Sequence, residues 1–170
     1  VQADAVVIGA GPVGLFQVFQ LGLQGITAHL IDALPHAGGQ CAELYPDKPI
    51  YDIPAVPATT GRALTQSLLQ QIAPFGAQMH FGQQVQAMAH QADGRWLLTT
   101  TTDQQFLTRA VFIAAGVGAF VPRTLQVPGI GLFQGTQLHY HPQDFARYAD
   151  RDVVILGDND AALEMALALC

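Results

Sequence analysis

The chain has 170 residues, half of them apolar and 12% charged, enough for one well-buried domain and unlike the polar composition of a disordered segment. Thirteen acids against seven bases leave a formal charge of −6, and Lys48 with six scattered arginines makes no basic face for nucleic acid. No run approaches the roughly 18–20 apolar residues that span a bilayer, and the apolar start lacks the basic flank of a signal peptide, so the expected location is the cytoplasm.

Ala3-Asp4-Ala5-Val6-Val7-Ile8 reads as a buried parallel strand ending in glycine. Residues 12–24 are apolar nearly all round, as a helix packed under a sheet should be, and Gly25 closes it before a second strand over 26–31. Strand, helix and strand within about thirty residues make a βαβ unit. Residues 32–60, rich in Pro, Gly and Tyr, form a connection long enough to carry function. A helix follows over 61–75, then a short strand at 79–81.

The pattern then changes to three short strands at 85–90, 95–100 and 105–108. Asp93-Gly94 turns between the first two, since both residue types tolerate positive φ. A buried apolar strand returns at 110–115 and stops at Gly116. Residues 120–135 are loop-like, so domains are placed at 1–120 and 121–170. Beyond them 152–157 reads as another buried strand and 160–169 as a helix. One strand and one helix cannot close a sheet, so the chain is expected to be a piece of something roughly twice as long. The fold class expected is α/β and Rossmann-like, with an inserted three-stranded antiparallel meander and the start of a second Rossmann unit.

Gly9-Ala10-Gly11-Pro12-Val13-Gly14 is GxGxxG between the first strand and its helix. Gly9 serves the tight turn, Gly11 lets backbone approach a pyrophosphate, and Gly14 permits close helix–strand packing. The first-turn N–H groups and the helix dipole face the phosphates, and Pro12 costs nothing because its missing N–H would be unpaired there. Asp32, at the end of the second strand, is placed to accept hydrogen bonds from adenosine ribose hydroxyls. The motif alone serves FAD and NAD equally. The meander and the Ala114-Ala115-Gly116 strand end favour a flavoprotein holding FAD.

With these residues, GAGPVGLF (9–16), LIDALPHAGGQCAELYPDKPIYDIP (30–54), VFIAAGVGAFVPR (111–123) and the expected strand–turn–helix at 153–169, the sequence resembles the thioredoxin-reductase-like ferredoxin (flavodoxin)–NADP⁺ reductases. The resemblance implies a homodimeric two-domain flavoprotein in which NADPH gives hydride to FAD and the flavin passes electrons to ferredoxin or flavodoxin. It carries FAD contacts to Gly9, Gly11, Pro12, Gly14 and Asp32, and also to Gln40, Tyr45, Val85 and Phe120. Hydride chemistry belongs to the flavin, so no catalytic side chain is named.

The relatives that work through a dithiol are excluded by sulfur count. Leu138-His139-Tyr140-His141-Pro142 stands where thioredoxin reductases carry CxxC, and Pro46 stands where a second cysteine would follow Cys41. Cys41 is therefore expected to be a buried structural thiol, and Cys170 an ordinary one. His139-x-His141 has no acid or thiol at ligand spacing, so no metal site is expected. Gly157-Asp158-Asn159-Asp160-Ala161-Ala162 departs from the family's second GxGxxA: Asn159 replaces a glycine, and two acids flank the phosphate position. NADPH binding is therefore expected to be weak or altered. Two other readings stay open: a non-catalytic FAD-binding module, and another flavin enzyme such as a monooxygenase.

Overall fold

A computed structural model describes residues 1–119, 124–140, 142, 144–158 and 160–169, and the chain divides into two compact units, Val1–Phe120 and Val121–Cys170. In the first unit, strand β1 (Gln2–Ile8) buries Ala5, Val6 and Val7. Helix α1 (Pro12–Leu23) follows from an extended Gly11 with Pro at its first position, and it turns Leu15, Val18 and Leu21 into the core. The left-handed Gly25 (φ 69°) lets the chain turn back into β2 (Ala28–Ile31).

The long connection after β2 holds a short helix, α2 (Gly39–Glu43), and a small ribbon of β3 (Pro49–Ile50) with β4 (Thr59–Thr60). Thr60 caps helix α3 (Gly61–Ile72), its hydroxyl accepting the Ala63 N–H at 3.2 Å. A 3₁₀ turn over Ala73–Phe75, containing Pro74, stops that helix before β5 (Gln78–His80). Strands β6 (Val85–His90), β7 (Trp96–Thr100) and β8 (Gln105–Ile113) complete one six-stranded sheet in the order β5-β2-β1-β8-β7-β6.

The first four of these strands in the sheet order are parallel and the β8-β7-β6 end is antiparallel. Ala5, Val7, Leu15, Val18, Leu30 and Ile72 pack the face under α1 and α3. Val6, Ile31, Leu98 and Phe106 fill the opposite face. Each fully buried aliphatic or aromatic side chain contributes about 1.5–3 kcal/mol of transfer free energy.

Two expectations change in detail. The third meander strand and the returning buried strand are one element. Residues 105–108 of β8 pair antiparallel with β7, while residues from 107 onward pair in parallel with β1. Arg109 interrupts the apolar run but not the backbone ladder, because its side chain is exposed. The turn at Asp93-Gly94 has positive φ only at Gly94 (84°), whose N–H donates to the Gln91 carbonyl at 3.0 Å. Asp93 instead accepts from the Arg95 backbone N–H (3.1 Å) and guanidinium (2.6 Å).

The second unit has short 3₁₀ turns at Ile130–Phe133 and Ala146–Tyr148, and helix α4 (Asp160–Leu169). Residues 152–157, expected as a buried strand, form none, and Val154 is 84% exposed. A parallel strand exists only through a neighbour, and no named strand among the described residues of this unit supplies one. Leu156 and, on α4, Leu163 and Leu167 are exposed as well. Among the described residues, no helix is long and apolar enough to cross a membrane.

Candidate functional site

The carboxyl ends of β1, β2 and β8 converge on a cavity of 410 Å³, within the range of small-molecule sites. Ile8, Ile31 and Ala114 mark those strand ends in its wall. The Gly9-to-Gly14 turn enters from β1. Gly9 has φ 107°, and a Cβ there would lie 2.2 Å from the Ala114 carbonyl oxygen. A Cβ on Gly14 would lie 1.8 Å from the Gly9 oxygen, so this glycine lets α1 close onto the turn.

Gly11 differs from both. Its φ of −70° suits any residue, and a Cβ would meet nothing nearer than Gly39 Cα at 3.8 Å. The fold has no use for a glycine here. The Cβ would project into space beside the helix start, which is where a phosphate must approach backbone. No side chain caps α1 and its first turn carries no acid, so its amide donors and dipole remain available to an anion.

Asp32 stands beside this turn. Its Oδ2 accepts the Ala10 N–H at 2.5 Å and its Oδ1 accepts the Leu34 N–H at 2.8 Å. The carboxylate thus ties the end of β2 to the glycine turn. Each oxygen keeps a further lone pair for a ribose hydroxyl. Asp32 is the one charged residue lining the cavity among those described. The residues present therefore fit the adenosine-diphosphate end of a dinucleotide.

Of the residues expected to bind, Gly9, Gly11, Pro12, Asp32, Gln40 and Val85 come together in the cavity wall. Gly14 lies beneath, where its closeness to Gly9 shapes the turn. Gln40 sits on α2, and its Nε2 would be 3.3 Å from a Cβ placed on Gly116. Tyr45 is not in the wall. The residue is 55% exposed, with the Lys48 ammonium 5.2 Å from its ring centroid. Phe120 lies outside the described residues, as do His141, Asn159 and Cys170.

Cys41, expected to be buried and structural, is only partly buried and lines the cavity. Short α2 carries it there, a helix too brief to show a periodic pattern in sequence. Gln83, Gln84 and Val117 also line the cavity and were not anticipated. The rule that ligands sit beyond the carboxyl ends of strands would have pointed to Gln83 after β5 and Val117 after β8. In the second motif, Asp160 occupies the first turn of α4. Its carboxylate places negative charge where a phosphate would use the helix dipole.

On the sheet face opposite α1, His29 and His80 stack with centroids 5.1 Å apart and Nδ1 of one 2.9 Å from Nε2 of the other. Phe106 meets both rings edge-on. Burial lowers the pKa of each below 6.5, and for His29 the charge of His80 adds to it. Neither ring lines the cavity.

The family described as pyridine nucleotide-disulphide oxidoreductase matches residues 47–170. A ferredoxin–NADP reductase from Albidiferax ferrireducens is 58% identical over 167 residues, which cover 98% of this chain and 47% of that protein. One from Acidovorax sp. strain JS42 is 62% identical over 170 residues, covering 97% of this chain and 48% of that protein. The chain spans about half the length of these curated relatives. Thioredoxin reductase from T. acidophilum superimposes with a TM-score of 0.60 at 21% identity, over 80% of this chain and 41% of that one. NADP⁺-bound cyclohexanone monooxygenase from Rhodococcus sp. Phi1 gives 0.60 at 22% identity, over 74% and 28%. These two share the fold, a Rossmann-like dinucleotide-binding sheet.

Proposed function

The chain belongs to the pyridine nucleotide-disulphide oxidoreductase family, and from that premise we propose that it is the FAD-holding part of a ferredoxin/flavodoxin–NADP⁺ reductase. The observation that carries this reading is Gly11. A glycine that neither φ nor packing demands opens, beside Asp32 and the uncapped start of α1, onto one cavity. The relatives from A. ferrireducens and Acidovorax, matched over nearly the whole of this chain, supply the chemical class.

In this reading Gly9, Gly11, Pro12 and the first-turn amides of α1 hold the pyrophosphate, and Asp32 holds the ribose. Gln40 and Val85 line the remainder, with Tyr45 and Phe120 assigned by resemblance alone. Bound FAD would supply hydride acceptance from NADPH and one-electron donation to ferredoxin or flavodoxin. The chain's residues do the work of binding, orienting and desolvating. The protein is read as a cytoplasmic homodimer with neither nucleic-acid nor membrane partners.

A second reading is motivated by Asp158 and Asp160: an FAD-binding module with impaired NADPH turnover. Anaerobic titration of the full-length protein separates the two. Bleaching of the flavin by NADPH, followed by electron transfer to added ferredoxin or flavodoxin, supports the reductase. An oxidised flavin spectrum unchanged by NADPH supports the module, and a colourless protein that cannot be reconstituted with FAD contradicts both.

A further inference from the structure

Gln83 immediately follows the Gly82 turn after β5, and its side chain does not serve that turn. The residue is 9% exposed and lines the cavity. Its Oε1 accepts from Thr100 Oγ1 at 2.8 Å and from Thr102 Oγ1 at 3.1 Å. Thr100 is fully buried, so its hydroxyl proton needs an acceptor inside the protein; the glutamine carbonyl supplies the shorter one, with Thr102 Oγ1 beside it at 3.0 Å. With the oxygen end of the amide held, the Nε2 end is fixed too. Nε2 has no hydrogen-bond partner among the described residues.

The sheet order says which groups lie beside this residue. The phosphate turn leaves β1, the ribose carboxylate ends β2, and Gln83 follows β5, the strands lying side by side as β5-β2-β1. The Gln83 N–H donates to the Asp32 carbonyl at 3.1 Å, which sets the two residues next to each other. Phosphate, ribose and then base is also the order of groups along an adenosine diphosphate.

Resting on the FAD reading above, we propose that Gln83 reads the adenine base, donating Nε2–H to a ring nitrogen from an amide that Thr100 and Thr102 hold in one orientation. A site built around a fixed donor discriminates against a base that has no acceptor to offer it. The two threonines are positioning residues, since they act through the glutamine.

The test uses the full-length protein freed of nucleotide, titrated calorimetrically with FAD, with ADP and with base-free ribose 5-diphosphate. Gln83→Leu is expected to weaken ADP about tenfold, the value of one hydrogen bond, and to leave ribose 5-diphosphate within about twofold. Gln83→Glu guards against misfolding, because it keeps the shape and still accepts from both threonines. It should weaken ADP at neutral pH and recover as acid restores a proton to donate. Unchanged ADP affinity in both variants overturns the proposal. Equal losses for ADP and ribose 5-diphosphate overturn it as well, showing that Gln83 acts by placing Asp32. If the parent protein binds FAD but binds ADP no more tightly than ribose 5-diphosphate, base reading fails alone. If it binds none of the three, the FAD reading fails with it.

Discussion

Two of the chain's glycine motifs, at Gly9 and at Gly157, precede helices, and they differ in how they are set up. The turn at Gly9 follows a strand paired on both sides, Ile8 registering with Ile31 and with Ile113. It leads to an uncapped helix with no acid in its first turn. Among the described residues, 152–157 before Gly157 pair with no strand, and the helix after the motif begins with Asp160. Similar spacing in sequence therefore does not make two equivalent anion sites. What differs between the two helix starts is charge: α1 is left electrically open, whereas α4 carries Asp160 in its first turn.

That contrast breaks most severely at Gly14. Gly14→Ala puts a methyl group against the Gly9 carbonyl oxygen with only backbone around it to yield. The expected outcome is a loss of about 3 kcal/mol or more, read as lost cooperative unfolding and lost flavin absorbance. Gly11→Val tests the opposite property. Its side chain meets no protein atom closer than 3.8 Å at Cβ, so the unfolding midpoint of the apoprotein should move little. FAD affinity, measured by fluorescence titration of apoprotein, should fall about a hundredfold, since the methyl groups exclude a phosphate from the helix start.

Much of the first turn was legible in the sequence, and the reason is local. Gly9, Gly11, Gly14 and Asp32 lie within one βαβ unit whose geometry is set by short-range rules, so spacing alone located four of the cavity's residues, Gly9, Gly11, Pro12 and Asp32. Features that depend on distant pairing were not legible. Nothing local says that 105–108 and 110–113 are one strand, because each half is defined by a different partner, β7 or β1. Residues 152–157 have the composition of a buried strand, but composition does not supply a neighbour. Gln83 was missed for the same reason: its two threonine partners are 17 and 19 residues away. Tyr45 shows the reverse case, an aromatic residue in a suggestive loop that the fold leaves outside the wall.

The second turn can be sharpened toward the first. Replacing Asp158 and Asn159 together by glycine removes one acid and a side chain from the place of pyrophosphate approach. NADPH affinity of the full-length protein should tighten about tenfold, checked by anaerobic titration of flavin reduction. Equal affinity in parent and variant would show that the two turns were not unequal on this account.

The smallest effect concerns the sheet that braces the first turn. The His29 and His80 pKa values lie below 6.5 in the fold, so below that pH the unfolded chain binds more protons than the native one. The pair's contribution is fully present above about pH 6.5 and is lost as pH falls toward the folded values. The loss should stay under about 1 kcal/mol, because both rings are partly exposed to water. His80→Phe should flatten this part of the pH profile of thermal unfolding, and an unchanged slope would remove the pair from the account.

The central claim is that the turn at Gly9, opened by a glycine the fold does not need, is where FAD is held. Its most direct measurement is the flavin content of the purified full-length protein beside its Gly11→Val variant, with unfolding followed for both. The claim predicts one FAD per chain in the parent, and a folded, colourless variant whose unfolding midpoint equals that of the parent's apoprotein. A parent that neither carries nor takes up FAD, or a variant that binds it as tightly as the parent, would contradict it.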